Sequence, residues 1–170
     1  ERRRTMKHLY LIGGTMGVGK TTVCQVLKNS LPNSVFLDGD WCWDMHPFRV
    51  TEESRQMVMG NICFLLNSFI RCSACENIVF GWVMHRQEIV DEILSRLETQ
   101  DCAVHLVSLV CTPQALRSRL QADIDAGVRS ADVLPRSLER LPLYDALQTV
   151  KIDVSDLTPE QAAQRLLQLF

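Results

Sequence analysis

Apolar residues are distributed along the chain in five short runs, and the stretches between the runs carry apolar residues at about every third or fourth position. Short apolar runs are typical of buried parallel strands, and the wider spacing is typical of amphipathic helices. Strands that alternate with helices predict an α/β protein with three α/β/α layers around a parallel sheet. The five predicted strands contain residues 8–12, 35–37, 78–80, 104–110 and 150–154.

Three threonines mark predicted helix starts. Thr51 precedes two glutamates, and acidic residues in the first turn stabilise a helix N-terminus. Thr112 and Thr158 each precede a proline, the order expected of an N-cap and the first helical residue, and Gln161 can complete a capping box with Thr158. Because ligands of parallel α/β sheets bind at the carboxyl ends of strands, the residues that follow each strand are the candidates for function.

The segment GGTMGVGKTT, residues 13–22, lies between the first predicted strand and a predicted helix. It contains the pattern G-x-x-x-x-G-K-[ST], in which backbone N–H groups surround phosphates, the lysine reaches the outer phosphates and the hydroxyl binds Mg²⁺. Lys20 is therefore also a predicted catalytic residue. A flexible glycine turn with a solvated lysine is the alternative. The predicted nucleotide-binding residues are Gly14, Thr15, Met16, Gly17, Val18, Gly19, Lys20, Thr21 and Thr22.

Two carboxylates, Asp38 and Asp40, follow the second predicted strand in the segment FLDGDW. In the predicted sheet this position lies beside the phosphate loop. Carboxylates there can complete a Mg²⁺ shell and can orient or deprotonate an attacking hydroxyl. Asp38 is therefore predicted to bind the metal together with Thr21, and both acids are predicted to be catalytic. The alternative is an Asp-Gly turn in which the acids only cap a loop.

All three tryptophans of the chain, Trp41, Trp43 and Trp82, follow the second and third predicted strands, and His46 and His85 are close by in the sequence. Three indoles on one rim predict an acceptor pocket with planar walls, for an aromatic group, a nucleoside or the apolar face of a sugar. The alternative is that these tryptophans belong to an ordinary core. His85 and Arg86, which follow the third predicted strand, could bind an anionic or hydroxylated group, and a role at the start of the following helix is equally compatible with their position.

The segment 123–136 interrupts the alternation of strands and helices. It is polar, lies between two predicted helices and contains Gly127, Arg129 and Pro135. We predict that this segment forms a lid.

The composition of the whole chain predicts a single domain in residues 6–170, because 170 residues suffice for one core. A net charge of −2, without a basic stripe, predicts no nucleic-acid partner. No apolar run approaches the roughly twenty residues of a membrane span, which predicts no membrane partner. Seven scattered cysteines and an N-terminus without a signal-peptide pattern predict a cytoplasmic location. Residues 1–5 are predicted to be a disordered lead or a cloning remnant.

The phosphate loop, the FLDGD segment, the arginine-bearing lid and the final KIDVSDLTPEQAA resemble the small-molecule kinases of the P-loop superfamily, which include gluconate, shikimate and adenylylsulfate kinases. The resemblance spans nearly the whole chain. It implies a five-stranded parallel sheet in the order 2-3-1-4-5, bound ATP and Mg²⁺, and a small-molecule acceptor. It implies that Asp38 lies near the metal and the acceptor hydroxyl, and Asp40 on the acceptor side. It further implies a nucleotide-side Arg119, a catalytic lid arginine at Arg129 and an acceptor-side lid arginine at Arg136.

The chain also departs from these kinases. Trp41-Cys42-Trp43 replaces the polar residue and early arginine of adenylylsulfate kinases, which disfavours a sulfate-bearing acceptor. His46-Pro47 matches the His-Pro of gluconate kinases only with a displacement of about two residues. The third strand ends Phe80-Gly81-Trp82 without the aspartate of a Walker B motif, which disfavours a motor or AAA-type ATPase.

The predicted function is ATP-dependent phosphoryl transfer to a hydroxyl of a small metabolite, as in gluconate or shikimate kinases. The closest alternative is a nucleoside or nucleotide kinase of the same superfamily. A non-catalytic ATP-binding switch is the alternative from another class, and a zinc or redox protein built on Cys72 and Cys75 is a remote third. The acceptor and the oligomeric state, monomer or homodimer, stay open.

Overall fold

A computed structural model of the protein describes residues 5–170. The strands are β1 (Lys7–Gly13), β2 (Ser34–Asp38), β3 (Asn77–Gly81), β4 (Cys102–Val110) and β5 (Val150–Asp153). The α-helices are α1 (Lys20–Ser30), α2 (Glu52–Arg71), α3 (Gln87–Arg96), α4 (Pro113–Asp125), α5 (Val133–Arg140) and α6 (Pro159–Gln168). Two short 3₁₀ helices, Gly39–Trp43 and Leu141–Ala146, follow β2 and α5.

The five strands form one parallel sheet in the order β2-β3-β1-β4-β5. β1 is central, and its Ile12 pairs with Gly81 of β3 on one side and with Val107 of β4 on the other. The predicted three-layer class and strand order are confirmed. Because all five carboxyl ends meet at one edge, the sheet brings together the phosphate loop after β1, the two acids at the end of β2 and Trp82 after β3.

Alternating side chains of β1 divide the core between the two faces of the sheet. Leu9 and Leu11 pack on the face covered by α2 and α3, whereas Tyr10 and Ile12 pack on the face covered by α1, α4 and α6. All four side chains are buried, and burying an aliphatic side chain stabilises the fold by about 1.5–3 kcal/mol. The central strand therefore anchors both helical layers directly below the phosphate loop.

The three predicted helix starts are confirmed. Thr51 caps α2 in a capping box with Ser54. Thr112 caps α4, with Pro113 as the first helical residue. Thr158 caps α6, and Gln161 completes the capping box there.

Between β4 and β5 the chain forms two helices, α4 and α5, as predicted, but both extend into the segment predicted to be a lid. The predicted lid, residues 123–136, contains the end of α4 and the first turn of α5. Pro135 is the third residue of α5, and a helix accepts proline in its first turn because the N–H groups there have no intrahelical partner. The part without helical structure is 126–132, where Gly127 has a φ of 73°.

Two further predictions concern the N-terminus and the membrane. Of the predicted lead at residues 1–5, residues 1–4 lie outside the described part of the chain. Within residues 5–170, no helix combines the length and the apolar character that a membrane crossing requires.

Candidate active site

The phosphate loop is a compact backbone turn between β1 and α1. Gly17 and Gly19 have φ values of 86° and 103°, in a region that residues with a Cβ rarely adopt. Gly14 permits a close approach, because a Cβ there would lie 2.7 Å from Cγ1 of Val18. Its N–H donates to the Val83 carbonyl at 3.3 Å, which joins the loop to the segment after β3. The turn leads into the N-terminus of α1, where the helix dipole favours phosphate.

Lys20, the first residue of α1, projects back over this loop. Its Nζ donates a hydrogen bond to the Thr15 carbonyl at 3.0 Å. Burial, helped by a small repulsion from Arg129, lowers the pKa of Lys20 to about 8, and attraction to Asp40 and Asp38 opposes the shift. The ammonium thus lies among groups from the phosphate loop, the D-G-D turn and the predicted lid.

Asp38 connects the phosphate loop to the D-G-D turn. Its Oδ2 accepts a hydrogen bond from Thr21 Oγ1 at 2.9 Å, and its Oδ1 accepts one from the Asp40 N–H at 2.9 Å. The second bond caps the 3₁₀ helix Gly39–Trp43. The turn-capping alternative and the predicted metal site therefore involve two different oxygens of one buried carboxylate.

The Thr21 hydroxyl and the Asp38 carboxylate pass a chemical test for Mg²⁺. This ion prefers hard oxygen ligands and is usually held by one or two protein groups together with phosphates and water. The observed pair supplies two such oxygens at the edge of the phosphate loop. The donor set therefore fits Mg²⁺.

Asp40 lies against two indole rings. Partial burial, followed by repulsion from Asp38, raises the pKa of Asp40, and attraction to Lys20, followed by the nearby Trp82 and Trp43 side chains, opposes that shift. The two rings meet edge to face with their centroids 5.9 Å apart. Gly39 permits this packing, because a Cβ there would lie 2.4 Å from Cγ of Trp82. The glycine of D-G-D thus lets Trp82 rest directly on the turn that carries both acids.

The remaining tryptophan points elsewhere, which corrects the prediction of three indoles on one rim. Trp41 is 54% exposed and packs edge to face against Phe36, a core residue on the α1 side of the sheet. Trp43 packs on the opposite core, beside α2. The physical reason is the 3₁₀ helix, in which residues two apart point in directions about 120° apart. His46 is exposed and precedes a cis peptide bond to Pro47.

Helix α5 contacts the phosphate loop through Ser137. Its Oγ donates to the Met16 carbonyl and lies 2.9 Å from Thr15 Oγ1, and Thr15 Oγ1 donates to the Ser137 carbonyl at 2.8 Å. Ser137 and Thr15 are completely buried. We call this set of contacts the α5 latch. Because buried polar groups are tolerated only when they are paired, the latch fixes α5 against the loop.

Arg119 of α4 joins the phosphate loop to the end of β5. Its Nη1 donates to the Val18 carbonyl at 2.9 Å, and its Nη2 donates to the Val154 carbonyl at 2.6 Å. The same side chain lines a cleft of about 230 Å³ beside Gly19 and Pro159. The arginine predicted on the nucleotide side thus lies next to the phosphate loop, with its guanidinium bound to main-chain oxygens.

The two predicted lid arginines lie in different surroundings. Arg129 forms an ion pair with Asp123, with Nε and Oδ2 3.0 Å apart, and lies close enough to Lys20 to influence its pKa. Arg136 lies on the exposed side of α5, with Nη2 3.9 Å from Oδ2 of Asp132. Arg129 is therefore beside the phosphate loop, and Arg136 belongs to the outer surface of the helix.

Three residues that sequence analysis passed over lie at or near the site. Ser137 forms the latch, while Arg55 and Arg140 line a cleft together with the predicted residue His85. Ser137 carried a signal, because it stands between Val133 and Leu141 at helical spacing and is thus a polar residue in an apolar stripe. Arg55 and Arg140 carried none, since they are 85 positions apart in the sequence.

A protein-family model described as an AAA domain, AAA_18, matches residues 11–133. This span contains the phosphate loop and both acids and covers well over half of the chain. The chain belongs to the AAA_18 family. The sequence analysis disfavoured an AAA-type ATPase, because no Walker B aspartate follows the third strand. The name of the matched family nevertheless includes the AAA class. In the AAA_18 domain of this chain Trp82 follows β3, and the acids stand at the end of β2.

Solved structures similar to this AAA_18 chain over nearly its full length have the same fold. One is a tunicamycin resistance protein of Deinococcus radiodurans, with a TM-score of 0.74, 20% identity and coverage of 96% of this chain and 95% of that one. Others are a gluconokinase from Sinorhizobium meliloti 1021 (0.64, 21%, 98% and 95%) and the shikimate kinase of Aquifex aeolicus vf5 (0.60, 18%, 95% and 94%). The fold is that of P-loop kinases, and the resemblance to small-molecule kinases is confirmed. No curated protein matches this sequence.

Proposed function

We propose that the protein transfers the terminal phosphoryl group of ATP to a hydroxyl of a small metabolite. The observation that carries this proposal is the hydrogen bond between Thr21 and Asp38 at the end of the phosphate loop, with Asp40 on the same turn. It joins a set of metal-binding oxygens to a second carboxylate that has no place in simple nucleotide binding. The P-loop kinase fold supports the same activity.

On the nucleotide side, backbone N–H groups within residues 15–19 and the Lys20 ammonium bind the phosphates. Thr21 and Asp38 would hold Mg²⁺, which neutralises phosphate charge when it is bound. Phosphoryl transfer depends mainly on positioning and on neutralising charge. We assign residues 126–132 the role of a lid, from which Arg129 exchanges its partner Asp123 for a phosphate oxygen.

On the acceptor side, Asp40 orients the attacking hydroxyl and accepts its proton. Both oxygens of Asp38 are already engaged within the protein, which suits a positioning and metal-binding role. The pKa of Asp40 is raised toward the working pH, which makes its carboxylate a better proton acceptor than an ordinary aspartate. Trp43 and Trp82 form an apolar wall beside this carboxylate.

An acceptor screen tests the proposal. The purified protein is incubated with ATP, Mg²⁺ and single members of a panel of sugars, sugar acids, nucleosides and nucleotides, and ADP release is followed. We expect release that depends on one class of acceptor and that is lost in Lys20→Ala. A nucleoside or nucleotide kinase would be identified by its preferred class. ATP binding without acceptor-dependent ADP release would contradict the proposal and identify a switch protein.

A further inference from the structure

Two cysteines, Cys72 and Cys75, lie in the connection between α2 and β3, and the proposed function does not use them. The Cys75 N–H donates to the Cys72 carbonyl at 3.2 Å, which closes a β-turn that we call the cysteine turn, residues 72–75. The first and last Cα atoms of a β-turn lie less than about 7 Å apart, and those of a disulfide usually lie about 4.4–6.8 Å apart. The backbone therefore already holds the two cysteines within reach of a disulfide.

The cysteine turn is anchored at both ends. At its start, the Cys72 N–H donates to the Phe69 carbonyl at 3.1 Å, which ends α2, and Lys7 Nζ of β1 donates to the Cys72 carbonyl. Just after its end, the Glu76 N–H donates to the Asn33 carbonyl at 2.8 Å. A bond between the two sulfurs would close within a turn that the surrounding structure has already fixed.

The two thiols differ in their access to solvent. Cys72 is exposed, whereas Cys75 is half-buried and packs against the core beside α2. Solvent-accessible cysteines that stand next to a second cysteine are typical of sites of reversible oxidation. A dissolved oxidant therefore meets Cys72 first, and Cys75 waits beside it.

The pKa values of the two thiols are shifted in opposite directions. The Ala74 N–H, followed by the nearby Cys75 thiol, lowers the pKa of Cys72, while desolvation opposes the shift and a weaker attraction to Lys7 adds to it. Burial, followed by repulsion from Cys72, raises the pKa of Cys75. Because the thiolate is the reactive form of a cysteine, the exposed Cys72 is also the more nucleophilic of the pair.

The remaining cysteines of the chain do not share the surroundings of Cys72. Within residues 5–170, it is the one cysteine whose pKa is lowered. Burial is the first cause of a raised pKa in the other six, which are Cys24, Cys42, Cys63, Cys75, Cys102 and Cys111. Oxidation of the folded protein should therefore be selective for the cysteine turn.

We propose that Cys72 and Cys75 form a redox modification site, at which a hydroperoxide converts the two thiols into a disulfide and a dithiol reductant restores them. This inference goes beyond the proposed kinase function and does not depend on it. The cysteine turn precedes Asn77, the first residue of β3, whereas the phosphate loop follows β1. The two sites therefore lie at opposite edges of the parallel sheet.

The reaction proceeds in two steps. The Cys72 thiolate attacks one oxygen of hydrogen peroxide, the O–O bond breaks, and the hydroxide that leaves takes up a proton to form water. Cys75 then loses its proton as its sulfur attacks the sulfur of the Cys72 sulfenic acid, the S–O bond breaks, and a second water leaves. Two thiols and one peroxide thus give one disulfide and two waters, and the two electrons lost by sulfur reduce the peroxide.

The sequence allows this site to be followed apart from the other cysteines. Tryptic cleavage after Arg71 and Arg86 releases the peptide 72–86, which contains both cysteines of the turn and no other. The reduced, folded protein is treated with hydrogen peroxide, the remaining thiols are alkylated, and the mass of this peptide is followed with time. The variants are Cys72→Ser and Cys75→Ser. Cys102→Ser is the control, because Cys102 lies beside Lys7 in the sheet but outside the turn.

We expect the wild type and Cys102→Ser to give, at equal rates, an unalkylated peptide that is lighter than the reduced peptide by two hydrogen atoms. Dithiothreitol should restore both thiols. Cys75→Ser should stop at a sulfenic acid on Cys72, which dimedone traps. In Cys72→Ser, oxidation of Cys75 should be slower than in the wild type by about tenfold or more, because that thiol is half-buried and its pKa is raised.

Thermal unfolding curves confirm that each variant is folded before oxidation. A peptide 72–86 that stays reduced in the wild type would overturn the inference, as would an oxidised product that dithiothreitol does not reduce. A disulfide between Cys72 and a cysteine outside the turn would also overturn it. Oxidation of Cys75 at the wild-type rate in Cys72→Ser would show that Cys72 is not the attacking thiol and would refute the proposed site.

Discussion

The nucleotide side and the acceptor side of the candidate site differ in how their polar groups are paired. On the nucleotide side, Lys20, Thr21 and Arg119 each bond to another group of the protein. On the acceptor side, Arg55 and Arg140 have no ion-pair partner within residues 5–170. On the first side, these polar side chains already have hydrogen-bond partners within the protein, and most of those partners are backbone groups. On the second side, these two guanidinium groups have no opposite charge in contact among the described residues.

Under the proposed function, this difference would let the acceptor vary independently of the phosphate loop. A phosphate loop needs glycines, one lysine and one hydroxyl in a fixed backbone turn, so its geometry follows from a short segment. The cleft on the proposed acceptor side combines side chains from α2, the segment after β3 and the end of α5. Changes in any of these can alter the acceptor without disturbing the phosphate site. The following predictions test this separation.

Removal of the ammonium at the phosphate loop should have the largest effect. Lys20→Ala should slow phosphoryl transfer by about 10²-fold or more, because the charge that meets the phosphates is lost while the backbone turn remains. Its Tm should be unchanged or higher, since burial lowers the pKa of Lys20 and the charged form therefore destabilises the fold. Lys28→Ala, near the end of α1, is the control. Turnover within about threefold of wild type would refute the phosphate site.

Substitutions of Asp38 and Asp40 should affect different kinetic properties. Asp40→Asn should lower kcat by about 10²-fold or more and leave the affinity for ATP unchanged. Asp38→Asn should also lower kcat strongly. It should raise the Mg²⁺ concentration required for half-maximal rate, because Asp38 Oδ2 accepts the hydrogen bond of Thr21 Oγ1 and these two oxygens are the proposed Mg²⁺ ligands. Asp44→Asn, on the exposed part of the same loop, is the control. If only Asp40→Asn shifts the Mg²⁺ dependence, the two roles are reversed.

The affinity for ATP should depend on pH through the protonation of Lys20 on the nucleotide side. Burial lowers the pKa of Lys20 to about 8, and phosphate binding requires the protonated form. Affinity should therefore be constant below that pH and fall by up to about tenfold per pH unit above it, because binding then requires uptake of a proton. Lys20→Arg keeps its charge and should flatten the profile. Calorimetry between about pH 7 and pH 10 checks this, and a flat wild-type profile would contradict it.

Replacement of a tryptophan should weaken acceptor binding and leave ATP binding unchanged. Trp43→Ala and Trp82→Ala should each raise the acceptor KM about fivefold, because a stacked ring contributes about 1 kcal/mol beyond its buried area. The affinity for ATP should not change. Trp41→Ala, which alters a ring packed on Phe36, should leave the acceptor KM as it is. If all three variants lower only Tm, the rings are core residues and the acceptor wall is refuted.

The smallest expected effect concerns the α5 latch. Ser137→Ala removes the partner of the Met16 carbonyl and should lower the free energy of unfolding by about 1–3 kcal/mol, which shifts Tm by several degrees. Because Thr15, whose hydroxyl belongs to the latch, also accepts the hydrogen bond of Lys20 through its carbonyl, ATP binding should weaken as well. Ser130→Ala, on the exposed segment 126–132, should change stability by less than about 0.5 kcal/mol. Equal Tm values for the two variants would exclude the latch.

Local features account for the parts of the structure that could be predicted. The first strand is predicted at residues 8–12 and observed at Lys7–Gly13, and the second at 35–37 and Ser34–Asp38. Apolar runs and threonine caps act within a few residues of one another, so the chain displays them directly. At residues 123–136 the polar composition did not show that α4 continues to Asp125 and that α5 begins at Val133. The contacts of α5 with the phosphate loop stabilise a helix there instead.

The sequence by itself determined the α/β alternation, the phosphate loop and the two acids of D-G-D, because each depends on neighbours in the chain. Only the tertiary structure decided that Trp43 faces Trp82 while Trp41 faces Phe36. It alone decided that Ser137 bonds to the phosphate loop and that Arg55, Arg86 and Arg140 line one cleft. Such groups become neighbours because parallel strands carry distant segments to the same edge of the sheet. Apolar burial on both faces fixes that arrangement, and no local pattern records it.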